Sequence, residues 1–364
     1  MKANMLWWVL VLLTSACKLS DNKQAKVQDP IKKHSQAVHV LDDVWMRDPF
    51  ITLAPNGYYY LSCTRKNAYY PDSLPAMQFF RSKDLMDWED LGVQWKAKET
   101  EWGNMLYERA KTFKKKKTLL APDVHGVGPM IWAPEIHFIN GKWVIVTTSN
   151  LQRASLFISK GDKLEGPFEE PFGVDFGHRH DPSIFMDGNT PWLVYRCAEM
   201  IQLTDDLRGF VGEPIKAGPS DRKMGHEGCY ITKVEDKYVL WGTAWSTDEM
   251  RHGTYNLYYC TADKVTGPYG PRKFAGRFLG HGTPFKDKDG QWWSTAFLNG
   301  EYIPAEVVAQ QGTDANIATT INKQGLTLVP MDIEMENGEV VVKVLDKHYA
   351  SPGEEEVQQF SLAN

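Results

Sequence analysis

Short apolar runs, each closed by a tight polar turn and answered by an aromatic-rich run, recur five times along the chain. The first is Asp48-Pro49-Phe50-Ile51, with a turn at Asn56-Gly57 and a return through Tyr58-Tyr59-Tyr60-Leu61. The second pairs Pro134-Glu135-Ile136-His137-Phe138 with Trp143-Val144-Ile145-Val146 across Asn140-Gly141. The third joins Asp181-Pro182-Ser183-Ile184-Phe185 to Trp192-Leu193-Val194 through Asp187-Gly188. The fourth runs Glu227-Gly228-Cys229-Tyr230-Ile231, then Asp236-Lys237 and Tyr238-Val239-Leu240. The fifth is Gly282-Thr283-Pro284-Phe285, with Asp289-Gly290 before Gln291-Trp292-Trp293. Each copy predicts a strand, a tight turn and a return strand.

A second phrase follows most copies: Ser82 to Trp88, Ser159 to Phe168, Thr204 to Leu207, and Thr261 to Tyr269. The copies open at 48, 134, 181, 227 and 282, so they stand 86, 47, 46 and 55 residues apart. A unit of roughly 40–50 residues holding about four strands is the size of one propeller blade. The pattern therefore predicts an all-β, single-domain, five-bladed β-propeller over residues 38–350. Blades fall at about 46–95, 131–172, 178–220, 225–275 and from about 280 onward. The long first interval carries an insertion, 96–130, on the rim or over the mouth. Val38 to Trp45 supplies a strand that helps close the ring, and a hairpin at Glu336-Asn337-Gly338-Glu339 completes the last blade.

Net charge of −5 and 12% aromatic content argue against a nucleic-acid partner. The run Lys114 to Lys117 reads as a solvated loop. At the amino terminus, Lys2 precedes the apolar Leu6 to Leu13 and then Thr14-Ser15-Ala16-Cys17. That layout is too short to span a bilayer and reads as an export signal over residues 1–17. Small residues ending at a cysteine make it lipoprotein-like, with Cys17 as the acylated residue. The only membrane contact expected is that lipid anchor, which places the chain in the periplasm or on the outer membrane. Residues 18–37 read as a flexible tether and 351–364 as a loose polar tail. The remaining cysteines, Cys63, Cys197, Cys229 and Cys260, show no zinc-type spacing and read as buried thiols. No pattern speaks to oligomeric state.

Three openings are acidic: Asp48, Asp181 and Glu227. Innermost strands of a propeller line one channel, so these carboxylates converge. Convergent carboxylates repel and separate their pKa values, which suits paired acid and base work on a glycosidic bond. Asp-Pro and Glu-Gly also start ordinary turns, but three acids in three repeats outweigh that reading.

The motifs Arg47-Asp48-Pro49-Phe50-Ile51, Trp132-Ala133-Pro134-Glu135-Ile136, His180-Asp181-Pro182-Ser183-Ile184-Phe185, Glu227-Gly228 and Gly280-His281-Gly282-Thr283 resemble glycoside hydrolase family 43, across about residues 38–345. The resemblance implies that Asp48 is the general base, Glu227 the general acid, and Asp181 the residue that tunes and orients the acid. It implies inversion at the anomeric carbon, with base and acid carboxyls roughly 6.5–9.5 Å apart. His281 matches a family histidine that faces the channel and meets a calcium ion through water; a hydrogen-bonded core histidine is the competing reading. No cofactor is required by this reading beyond that structural calcium.

One departure is Cys229 where the family has proline after Glu-Gly. Another is His226 directly before Glu227, which is similar to the related family 117, where such a histidine serves as acid on anhydrogalactose-bearing agar fragments. Trp132 and Trp45 are the candidate sugar platforms. Arg179 and His180 are candidate contacts to hydroxyls or a carboxylate. The expectation is an exo-acting, inverting α-L-arabinofuranosidase or β-xylosidase working on plant or algal oligosaccharide or polysaccharide fragments. The rivals are a family 117-like enzyme using His226 and a non-catalytic carbohydrate-binding propeller.

Overall fold

The computed structural model describes residues 33–66, 75–112 and 129–356. Met1–Lys33 forms one unit and His34–Asn364 another; the architecture below is that of the second. The expected export signal, most of the expected tether, the Lys114 to Lys117 run and residues 357–364 lie outside the described residues.

Second strands of the repeats, Tyr59–Thr64, Lys142–Ser149 and Lys237–Trp245, are buried along almost their whole length. A strand buried on both faces needs apolar residues without alternation, and that is what these segments carry. Outer strands such as Phe210–Lys216 face solvent. The described residues build five sheets. The first orders Arg47–Leu53, Tyr59–Thr64, Ala76–Ser82 and Trp88–Lys96; the second Ile131–Ile139, Lys142–Ser149, Ser155–Ser159 and Phe168–Glu169. The third is Ser183–Asp187, Thr190–Tyr195, Glu199–Leu203 and Phe210–Lys216. The fourth runs Glu227–Val234, Lys237–Trp245 and Gly253–Ala262, which pairs in turn with Lys273–Gly276 and, in parallel, with Ala318–Thr320, itself followed by Glu301–Tyr302. In the fifth, Pro284–Lys286 and Trp292–Ala296 lead to Leu326–Glu336, whose far edge takes both Val38–Val40 and Glu339–Val344. The amino-terminal strand thus closes the last sheet, and the hairpin at Asn337-Gly338 completes it, both as the sequence implies.

Five apolar clusters fill the spaces between successive sheets, one per space. Trp102, Phe157 and Trp143 lie between first and second, Phe176 and Leu193 between second and third. Met200 and Leu240 lie between third and fourth, Trp241 and Val329 between fourth and fifth, Trp293 and Leu61 between fifth and first. Faces packed around a ring in this way are a propeller arrangement.

The described part of the expected insertion takes the rim, and two expectations are corrected. Within 96–130, a short turn at Ala97–Glu99 leads into helix α1, Glu101–Thr112. The helix buries Trp102 and Leu106 against Trp95 and Phe157, so this part sits on the rim. The tether ends early: His34 exchanges hydrogen bonds with Gln291 and packs on Trp293. The tail is not loose where it is described, because Glu355 and Glu356 are bonded to Arg277, Thr254, Asn256 and Tyr258.

Candidate active site

A left-handed residue opens the innermost strand of every sheet. Asp48, Ala133, Asp181, Gly228 and His281 have φ of 51, 42, 45, 64 and 55°. Strand pairing skips at three of these points: Arg47 faces Thr64 and Phe50 faces Ser62, while Glu227 faces Thr243 and Tyr230 faces Trp241. Trp132 faces Thr148 and Glu135 faces Val146 in the same manner. Such a bulge re-aims the side chains on either side of it. It also corrects the alignment of the repeats. Asp48 and Asp181 are equivalent to each other and to His281, but Glu227 stands one residue ahead, equivalent to Arg47, Trp132 and His180.

The two registers meet around His281. Its Nδ1 lies 3.1 Å from Asp48 Oδ1 and 3.8 Å from Glu227 Oε1, and its Nε2 lies 3.8 Å from Asp181 Oδ2. His180 Nε2 lies 3.4 Å from Asp181 Oδ2 and 3.5 Å from Glu227 Oε2. Asp48, Asp181 and Glu227 are therefore brought together, with two imidazoles between them. Thr64 Oγ1 donates to Asp48 Oδ2 at 2.7 Å and accepts from the Ala133 N–H. Tyr255 donates its hydroxyl to Glu227 Oε1 at 2.8 Å, braced by the stacked Trp245 ring. The tight fit of His281 explains Gly228: a Cβ there would stand 2.7 Å from the imidazole Cδ2.

Electrostatics separate the carboxylates. Burial raises Asp48, but the charge and hydrogen bond of His281 prevail and hold it below 3.8. Burial also raises Glu227, yet hydrogen bonds from His180 and His281, with their charges, keep it well below 4.5. For Asp181 burial wins over both imidazoles, and its pKa goes up. The Asp181 charge lifts His180 to about 9, and Asp48 with Asp181 carries His281 well above 6.5 against its burial. The cluster thus favours the charged forms of Asp48, Glu227, His180 and His281 together, while burial favours the neutral form of Asp181.

Other candidates fall differently. Trp132 meets His180 edge-on at 6.2 Å and is half-buried beside the cluster. Trp45 is held by Lys66 over its ring at 4.7 Å. Arg179 is not a site residue: its guanidinium lies among Phe176, Tyr195 and Phe210, 4.3–5.4 Å from their ring centres. Burial lowers the pKa of His226, away from the charged form that a proton donor would need. Both nitrogens of His281 face carboxylates, as the hydrogen-bonded histidine of the competing reading would; a calcium ion met through water would draw on carboxylate and water oxygens, not on the imidazole. The three side chains whose ligand atoms lie within 4.8 Å of one another are His180, Asp181 and Glu227, a mixed N/O set. A cavity of about 450 Å³ opens between the first two sheets, lined by Asn56, Tyr60, Arg81 and Trp143, at the far end of their strands from Asp48. It holds none of the charged cluster. Tyr255 and Thr64 escaped sequence reasoning; Thr64 was recoverable from strand pairing opposite Arg47, while Tyr255 arrives from a third strand with no motif.

Residues 43–324 match the family described as Glycosyl hydrolases family 43. The chain belongs to that family. Its structure is similar to the family 43 BlXynB protein of Bacillus licheniformis (TM-score 0.55, 21% identity, 85% of this chain and 57% of that one). The chain thus spans 57% of the length of BlXynB. It is also similar to an endo-1,4-β-xylanase of Bacteroides thetaiotaomicron (0.55, 19%, 85% and 97%). A third is an α-L-arabinofuranosidase of Clostridium thermocellum (0.54, 18%, 84% and 95%). No curated protein matches the sequence. Membership of family 43 makes the chain a glycoside hydrolase acting on carbohydrate.

Proposed function

We propose that this five-bladed propeller is an exo-acting, inverting glycosidase that releases terminal α-L-arabinofuranosyl or β-xylosyl units from plant or algal polysaccharide fragments. One observation carries the reading: Asp48 and Glu227 both border His281 Nδ1, at 3.1 and 3.8 Å. These legs cap the separation of the two oxygens at about 7 Å, a bound that spans both the roughly 5–5.5 Å of a retaining pair and the lower edge of the roughly 6.5–9.5 Å inverting window, so inversion is taken from the family 43 motifs. Asp48, ionised and held by Thr64, takes a proton from water as its oxygen attacks the anomeric carbon. Glu227 protonates the departing oxygen as the glycosidic bond breaks. The pairing with His180 and His281 lowers the pKa of Glu227 in the free protein, so the acid role requires the substrate to displace that pairing, with His180 Nε2, 3.5 Å away, as the nearest proton carrier. Asp181 keeps that imidazole charged.

The test is product analysis on arabinoxylan, galactan and agar oligosaccharides, with the first-formed anomer read by NMR. Single terminal sugars of inverted configuration are expected. Glu227→Gln should lower turnover of such oligosaccharides by roughly 10²–10⁴ and that of a dinitrophenyl glycoside far less, since a good leaving group needs no acid. Binding of these sugars with no turnover by the wild type would establish a binding module instead.

We also propose export and anchoring through acylated Cys17, supported by Lys2, the Leu6 to Leu13 run and the small residues before Cys17. Cys17→Ala should move the protein from membrane to soluble fractions.

A further inference from the structure

Beside Glu227, two thiols from neighbouring sheets meet. Cys229 follows Glu227-Gly228 on the innermost strand of the fourth sheet, and Cys197 lies in the hairpin between Thr190–Tyr195 and Glu199–Leu203 of the third. Their sulfurs are 3.3 Å apart, and Cys197 Sγ is 4.0 Å from the Glu227 carbonyl oxygen. The hairpin is strained: Arg196, Cys197 and Ala198 all lie in the left-handed region, at φ of 46, 56 and 86°. Three successive non-glycine residues in that region persist only where the surroundings hold them. Here the Arg196 N–H donates to His180 O and the Ala217 N–H to Ala198 O, fixing the turn that presents Cys197 to Cys229. On its other side Cys229 is hemmed in, since a Cβ on Gly242 would come within 3.0 Å of its sulfur. Cys63, Cys229 and Cys260 are buried, whereas Cys197 is half-buried and so the more exposed member of the pair.

We propose that Cys197 and Cys229 are a modification site: a disulfide, closed by a small disulfide oxidant such as oxidised glutathione, that joins the third and fourth sheets beside the acid. The Cys197 thiolate attacks one sulfur of the oxidant, the oxidant's S–S bond breaks, and one glutathione thiolate leaves. The Cys229 thiolate then attacks Cys197 Sγ in the mixed disulfide and expels the second glutathione. Two electrons pass to the oxidant, which leaves as two thiols carrying the two protons. Bond formation brings the sulfurs from 3.3 Å to ~2.05 Å. This inference does not rest on the hydrolase reading.

The experiment uses the full chain, incubated with oxidised glutathione, quenched by alkylation and digested with trypsin. Peptide 197–208 should appear joined to peptide 224–233, about 2 Da lighter than the two free thiol peptides together, and dithiothreitol should separate them. Cys229→Ser should leave Cys197 as a glutathione adduct, and Cys197→Ser should leave Cys229 free. Recovery of both wild-type peptides fully alkylated, or of a lasting glutathione adduct on wild-type Cys197, overturns the proposal.

Discussion

Gly228 has no side chain because His281 fills the place one would take. Gly228→Ala adds a Cβ at φ +64° and drives it against the imidazole that pairs with Asp48. Backbone strain should cost about 1 kcal/mol of stability, while displacement of His281 by up to an ångström should lower kcat by about 10²-fold. Denaturant titration and steady-state kinetics separate the two effects, and an unchanged kcat would mean that His281 does not position the base. His180 makes a pH-dependent contribution. Its folded pKa is raised from 6.5 to about 9, so the stability it adds is fully present below 6.5 and is lost as pH climbs through about 9. The wild type should lose more stability than His180→Gln between pH 6.5 and 9.5, and turnover should fall near pH 9 as the imidazole loses its proton. Parallel stability curves for the two proteins would sink this assignment.

At the scale of elements, helix α1 depends on a carboxylate from outside itself. The N–H groups of Glu101 and Trp102 both donate to Glu170, each at 2.8 Å. An anion there satisfies two of the free donors at a helix start and meets the positive end of its dipole. Glu170→Ala should cost about 1–2 kcal/mol and expose Trp102, seen as a red-shifted fluorescence and a lower urea midpoint. An unaltered midpoint would show that Trp102 and Leu106 hold the helix unaided. The signal for α1 was in the sequence, as Trp102, Met105, Leu106 and Arg109 fall at helical spacing. Gly103 and the following lysines made the segment resemble a loop. Strands were far easier to read, because a blade interior needs continuous apolar residues and its turns need Asx or glycine.

Across the whole molecule, closure joins distant parts of the chain. Val38–Val40 pairs with Leu326, Thr327 and Leu328, and Glu355 reaches back to Arg277. That pair is buried, with 5% and 11% of the side chains exposed. Glu355→Ala leaves the Arg277 charge buried against the Thr313 hydroxyl and the Phe278 ring, without the Glu355 carboxylate paired to it, and should cost roughly 3–5 kcal/mol. A thermal midpoint equal to that of the wild type would refute this. Repeat number, strand order and the convergence of Asp48, Asp181 and Glu227 were legible from the spacing of the phrases, since one repeat makes one sheet and every sheet offers its first strand to the axis. What no spacing could reveal was the bulge. Its left-handed residue is Asp48 or Asp181 itself in two sheets but Gly228, the residue after Glu227, in the fourth, so that His180 and not Asp181 holds the place equivalent to Glu227. Side-chain direction at such a residue follows from a backbone conformation that local preference disfavours and only packing against neighbouring sheets enforces. The chemistry of the site was thus written in the residue types, and its pairing of proton with carboxylate was decided by the closed ring.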